Sequence, residues 1–174
     1  MTTDKPSPAT SDAKHRLLFI CLGNICRSPA AEGVMKAKVH AAKLDNQFVI
    51  DSAGIGDWHV GQLPDSRMRE RGARRGYRFD SRARQLRQSD FDDFDLLLVM
   101  DNENYRIVAS KAPNEQACKK VRMLTDYLQE HKGADVVPDP YYGDLSDFDY
   151  ALDLIEDACD GLLNTLILEI QPFR

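Results

Sequence analysis

The residues best equipped for chemistry are eight in a row near the start of the chain, Cys21-Leu22-Gly23-Asn24-Ile25-Cys26-Arg27-Ser28. A thiol and a guanidinium stand five residues apart in a segment that runs from an apolar stretch into helix-forming sequence. Backbone N–H groups of a tight loop and the positive end of a helix both favour an anion placed between them. Arg27 can add a bidentate pair to two phosphate oxygens. Gly23 and Asn24 are residue types that tolerate positive φ, which a loop curling its amides inward demands. The same positive surroundings favour the thiolate of Cys21. A free thiol is only roughly 3% ionised at neutral pH, whereas thiols beside cations at helix starts ionise readily. A thiolate there can attack phosphorus in line and form a cysteinyl-phosphate that water later cleaves, with Ser28 placed to donate a hydrogen bond to the sulfur. Taken singly, a cysteine ending a buried strand is a small core residue and an arginine opening a helix is solvated. The combination at one strand-to-helix junction favours chemistry.

The elements that must position this loop follow from the apolar patterning. Residues 16–21 form an apolar run that reads as a strand. Ser28 and Pro29 carry helix-start signals for a helix to Lys43, with Ala31 where a full capping box would have an acid. Residues 47–50 read as a second strand ending at Asp51-Ser52-Ala53-Gly54. Pro64-Asp65 opens an arginine-rich helix to about Arg75, residues 96–100 form a third strand, Asp101 caps a helix over 102–110, and residues 119–124 form a fourth strand. A last helix over about 147–170 repeats apolar residues at Leu152, Ile155, Cys159, Leu162, Leu163, Leu166 and Ile170, the spacing of one buried face. Alternating strands and helices imply an α/β domain with a parallel sheet covered on both sides, whose ligands bind at the carboxyl ends of the strands.

Composition bounds the rest. The chain has 174 residues, 29% charged and 43% hydrophobic, with a formal charge of −5. At this length roughly 70% of the unfolded surface is buried on folding, so no staple of metal or disulfide is needed. The longest apolar runs fall far short of the ~20 residues of a membrane span. Residues 1–14, rich in Thr, Ser, Pro, Asp and Lys, read as a short disordered arm, leaving one domain over 15–174. With no export signal, Cys21, Cys26, Cys118 and Cys159 are expected in a reducing, cytoplasmic setting. The net charge hides a partition. Residues 67–87 hold nine arginines against Glu70 and Asp80 alone, and residues 126–174 hold twelve acids against Lys132 and Arg174. Two opposed, solvated surfaces are expected, each able to dock a protein.

The loop at residues 21–28, so close to the N-terminus, resembles that of the low-molecular-weight protein tyrosine phosphatases. Further segments resemble the family in order: Asp51-Ser52-Ala53-Gly54, Asp57-Trp58-His59-Val60-Gly61, Pro64-Asp65-Ser66-Arg67, Ala83-Arg84-Gln85-Leu86, residues 91–101 with Asn104, and Pro138-Asp139-Pro140-Tyr141-Tyr142. The resemblance implies a four-stranded parallel sheet flanked by helices, the flavodoxin-like fold of that family. It implies a metal-independent phosphatase without cofactor, acting on phosphotyrosine proteins and on aryl phosphates. Cys21 would be the nucleophile, Arg27 the phosphate clamp, and Asp139 the general acid that protonates the leaving phenolate and then helps activate water. Leu22, Gly23, Asn24, Ile25, Cys26 and Ser28 would complete the phosphate loop. Trp58, Tyr141 and Tyr142 would wall a cleft for a flat ring, Asn24 and Ser52 would stiffen the loop, and Cys26 would form a reversible disulfide with Cys21 under oxidation. Cys118 and Cys159 read as core or incidental.

One departure stands out. Many members have a histidine two residues before Ala-Arg-Gln, where this chain has Ser81, so the hydrogen bonds to Asn24 must be completed differently. An arsenate reductase on the same scaffold would carry a further redox pair in the middle of the chain, and residues 67–100 contain no cysteine. An arginine phosphatase would have a small hydroxyl residue in place of Ile25, whose apolar side chain suits a phenyl ring. A nucleic-acid-binding role for the arginine stripe is opposed by an acidic pI of about 5.4 and by the lack of an aromatic ladder. His15, His40, His59 and His131 are scattered without ligand-like partners, so no metal centre is expected. The expected state is a monomer, with weak self-association as the alternative.

Overall fold

The computed structural model describes residues 15–170, apart from the side chain of Ile170. The expected arm over 1–14 and the Ile170 side chain on the last helix's apolar face lie outside the described residues. Four parallel strands, β1 (His15–Cys21), β2 (Phe48–Gly54), β3 (Leu96–Val99) and β4 (Val121–Met123), stand in the order β2-β1-β3-β4. Among the described residues six α-helices accompany them: α1 (Arg27–Ala41), α2 (Ser66–Arg74), α3 (Asp90–Asp93), α4 (Asn102–Lys111), α5 (Glu115–Lys119) and α6 (Leu145–Ile170).

Strand alternation divides the core in two. Leu17, Phe19 and Cys21 of β1 and Leu98 of β3 face the cluster built by α1 and α6, with Ala31, Val34, Met35, Leu152, Ile155 and Cys159 fully buried. Leu18, Ile20, Leu97 and Val99 face the other way, against Phe91, Val108 and Ala117. This is the covered parallel sheet that the patterning predicts. Its switch point lies at the carboxyl end of β1, where β2 and β3 flank it on either side, and there the loop at 21–28 emerges.

Several boundaries differ from the expectation, each for a tertiary reason. β2 continues through Asp51-Ser52-Ala53-Gly54, because Ser52 pairs with Phe19 and Gly54 with Cys21 along β1. Ser52 is therefore a buried strand residue, not a turn. α1 starts at Arg27 with Cys26 as its N-cap and no side-chain cap. Ser28 is occupied elsewhere, as described below.

The arginine stripe and the acidic C-terminal third are not wholly separate surfaces. Part of each closes on the other between α2 and α6: the Arg71 guanidinium donates twice to Asp149 at 2.9 and 2.7 Å, and Arg75 bonds Glu156 at 2.5 Å and lies 2.8 Å from Asp153, while Arg74 and Arg78 pair locally with Glu70 and Asp80 and stay exposed. Tyr77 donates to Glu156 at 2.7 Å. Arg84 is taken up separately, between Asp51 and the fully buried Asp90.

Candidate active site

The loop is shaped by what holds its carbonyls. Ile55 N–H donates to the Cys21 carbonyl at 3.0 Å, Gly56 N–H to that of Leu22 at 2.9 Å, and Asp65 N–H to that of Ile25 at 2.7 Å. With the carbonyls drawn to the surrounding chain, the N–H groups of Leu22, Gly23, Asn24, Ile25 and Cys26 find no protein acceptor among the described residues. Five unpaired donors in one turn, leading into a helix start, make an anion-binding concavity. Asn24 takes the left-handed conformation that turns the chain, with φ of 57°. Gly23 does not have positive φ, contrary to expectation. A Cβ at Gly23 would come within 3.0 Å of the His59 ring, so what this position supplies is room for His59.

Behind the loop runs a buried chain of hydrogen bonds. Glu32, on α1 and 4% exposed, can only accept, and the Ser52 hydroxyl donates to it at 2.6 Å. Ser52 then accepts from Asn24 Nδ2 at 2.9 Å, and the same Nδ2 donates to Ser28 Oγ at 2.7 Å. The Ser28 hydroxyl is left to donate, with Cys21 Sγ 3.0 Å away and the Ala53 carbonyl 3.5 Å away. Asn24 Oδ1 accepts the backbone N–H of Arg84 at 3.0 Å. Without a histidine at Ser81, the network is closed by Glu32, itself paired with Lys36 at 2.6 Å.

Arg27 is 2% exposed and anchored from the far side. Its Nη1 donates to Asp101 Oδ2 at 2.7 Å and to the Val137 carbonyl at 2.9 Å, while Nη2 lies 3.7 Å from Asp139 Oδ2. The Nε and Nη2 hydrogens form no hydrogen bond among the described residues, so one edge of the guanidinium faces the loop with its orientation set. Burial opposes the charge, but Cys21, Asp101 and Asp139 outweigh it and hold Arg27 above its ordinary value. Burial pushes the Cys26 thiol far up, reinforced by Asp65, Cys21 and Asp139, so Cys26 stays protonated. Cys159, fully buried in the core, is pushed up for the same reason, while Cys118 is half-buried.

A pocket of about 330 Å³ opens over the loop, lined by Cys21, Leu22, Gly23, Ile25, Cys26, Arg27, Trp58, His59, Asp139, Tyr141 and Tyr142. Trp58, Tyr141 and Tyr142 are all among its lining residues. Trp58 folds over Gly56, where any Cβ would overlap its ring, and Tyr141 meets Tyr142 edge-on with centroids 4.9 Å apart. Asn24, Ser28 and Ser52 do not line the pocket and belong to the buried hydrogen-bond chain behind the loop. His59, which the sequence offers neither as a metal ligand nor as a cleft residue, also lines the pocket, and its neighbour Trp58 is the signal that points to it. In place, it sits on Gly23, bonds Gln62 at 3.0 Å and stands 6.5 Å from the Tyr141 ring.

A family model described as low molecular weight phosphotyrosine protein phosphatase matches residues 16–171. A chain of Synechocystis sp. is 50% identical over 155 residues, covering 89% of this chain and 98% of that one. The crystal structure of a protein tyrosine phosphatase from Entamoeba histolytica, with Hepes in its active site, aligns with TM-score 0.84 at 45% identity, covering 87% of this chain and 96% of its own. That of a Drosophila arginine phosphatase aligns with TM-score 0.77 at 31% identity over 86% and 96%.

Proposed function

From the premise that this chain belongs to the low molecular weight phosphotyrosine protein phosphatase family, we propose that it hydrolyses phosphotyrosine and other aryl phosphates through a cysteinyl-phosphate on Cys21. The observation that carries this reading is the run of unpaired N–H groups from Leu22 to Cys26 beside the Cys21 thiol, with Arg27 and Asp139 lining the same pocket 3.7 Å from each other. The phosphoryl oxygens take the N–H groups and the Nε–Nη2 edge of Arg27, which grip tightest as charge moves onto them. Cys21 sulfur forms a bond to phosphorus as the phosphorus–phenolate bond breaks, and the proton of Asp139 goes to the departing oxygen. Asp139, now a carboxylate, takes a proton from water, which attacks phosphorus and releases Cys21 as thiolate.

Trp58 and Tyr141 flank the ring, with Tyr142 at the rim and Ile25 at the base. Apolar Ile25 favours the phenyl ring over a guanidino group as the partner. Residues 15–174 act as one monomeric domain on phosphotyrosine-containing proteins. Four free cysteines fit a reducing, cytoplasmic setting, and among the described residues no helix is long and apolar enough to cross a membrane. Neutral, neighbouring Cys26 is placed to capture Cys21 as a disulfide when the latter is oxidised.

The test is hydrolysis of p-nitrophenyl phosphate and of phosphotyrosyl, phosphoseryl and phosphoarginyl peptides in the presence of EDTA. Phosphotyrosine and the aryl ester should be cleaved and Cys21→Ser should be inert. Preference for phosphoarginine, or loss of activity with EDTA, would overturn the reading.

A further inference from the structure

The segment carrying Asp139 is held at two points. Upstream, Val137 N–H donates to the Met100 carbonyl at 2.8 Å, and the Val137 carbonyl accepts from Arg27 at 2.9 Å. Downstream, the Tyr141 carbonyl accepts from Arg67 Nη2 at 3.0 Å. Between these anchors, Tyr141 N–H donates to Asp139 Oδ1 at 3.1 Å, so the backbone that Arg67 grips is the backbone that orients the carboxyl.

Arg67 is itself fixed to the phosphate loop. Its Nε and Nη2 donate to the two oxygens of Asp65 at 3.1 and 2.9 Å, a bidentate pair. The Asp65 N–H donates to the Ile25 carbonyl within the loop at 2.7 Å. The guanidinium also lies over two aromatic faces, 4.6 Å from the Phe148 centroid on the first turn of α6 and 5.6 Å from that of Tyr141. A continuous path therefore links Ile25, Asp65, Arg67, Tyr141 and Asp139. The ion pairs of Arg71 and Arg75 with α6 keep α2 seated beneath it.

We infer that Arg67 is a positioning residue for the general acid: it sets the distance between Asp139 and the phosphate loop, so that the carboxyl proton meets the leaving oxygen while sulfur attacks. This rests on the proposed role of Asp139. Its signature is dependence on the leaving group. A strongly acidic phenol departs as the anion with little help, whereas a weakly acidic phenol needs the proton as the phosphorus–oxygen bond breaks.

The experiment measures kcat/KM for 2,4-dinitrophenyl, p-nitrophenyl and phenyl phosphate with the wild type, Arg67→Met, Arg67→Lys, Asp139→Asn and the double variant Arg67→Met/Asp139→Asn. Asp139→Asn should lose activity more steeply the poorer the leaving group. Arg67→Met should lose about tenfold on phenyl phosphate and less than about twofold on the dinitrophenyl ester, a part of the ~100-fold or more that a placed general acid supplies. Arg67→Lys keeps the charge over Phe148 but cannot span Asp65 and Tyr141 with one fork, so it should fall between, with a melting temperature near that of the wild type. Adding Arg67→Met to Asp139→Asn should steepen the trend no further. Equal losses on all three esters in both Arg67 variants, with a steep trend in Asp139→Asn, would overturn the inference alone. A flat trend in Asp139→Asn would overturn the acid role and the inference with it.

Discussion

Glu32 and Ser52 meet at 2.6 Å inside the protein, the hydroxyl donating to the carboxylate. The Asn24 amide, oriented by the Arg84 N–H on its Oδ1, donates to the hydroxyls of both Ser52 and Ser28, so the Ser52 proton is left for Glu32. Removing the carboxylate strands the Ser52 proton and loosens one of the contacts that hold the Asn24 amide, leaving Arg84 N–H and Ser28 to hold the rest. Glu32→Ala should lower stability by about 1–3 kcal/mol, the cost of buried partners left unpaired, and lower kcat/KM by about tenfold, equivalent to ~1.4 kcal/mol. Glu32→Gln keeps the shape and should cost less. Urea unfolding and aryl phosphate turnover check both effects. Wild-type turnover in Glu32→Ala would contradict the relay.

Gly161 on α6 lies against the backbone carbonyl of Tyr127, in the short turn Leu124–Tyr127, where any Cβ would overlap that oxygen. In an isolated helix Gly→Ala gains about 1 kcal/mol. Here Gly161→Ala should instead destabilise by about 1–3 kcal/mol, the usual cost of overpacking, and thermal unfolding will show the sign.

Asp157 plugs the turn that precedes the Asp139 segment. Burial works against its charge, but the N–H groups of His131, Gln129 and Glu130 and the His131 ring bring its carboxyl down to about 2. A depressed folded value means stability fully present above the unfolded value of about 3.9 and lost as pH falls towards 2. Between pH 6 and pH 2.5, the urea midpoint of Asp157→Asn should fall less than that of the wild type. Parallel curves would contradict the assignment.

Cys26, held protonated by burial and by the acids around it, should not compete as a nucleophile but should protect Cys21. Peroxide-inactivated wild type should recover with dithiothreitol, and Cys26→Ser should lose that recovery. Failure of the wild type to recover would contradict the pairing.

The shape of the loop at 21–28 was readable because its parts are local: thiol, turn residues and guanidinium lie within one strand-to-helix junction. So was the sheet, whose buried strands are continuous apolar runs. What could not be read depended on distant partners. Glu32 carries no local sign of burial until Ser52 of β2 meets it. Arg71 and Arg75 looked solvated because their acids lie far along the chain, 78 residues away for Arg71 and Asp149. The Asp51-Ser52-Ala53-Gly54 end of β2 has polar and small residues typical of turns, and only pairing with β1 makes it a strand. Gly23 looked like a conformational device until His59 was seen to fill the space above it.

The most direct measurement is rapid quenching of the enzyme with a phosphotyrosyl peptide, followed by mass analysis of the protein. The account predicts one phosphate on Cys21, formed before and decaying with steady-state turnover, and neither adduct nor turnover in Cys21→Ser. Phosphate on another residue, or turnover surviving in Cys21→Ser, would contradict it.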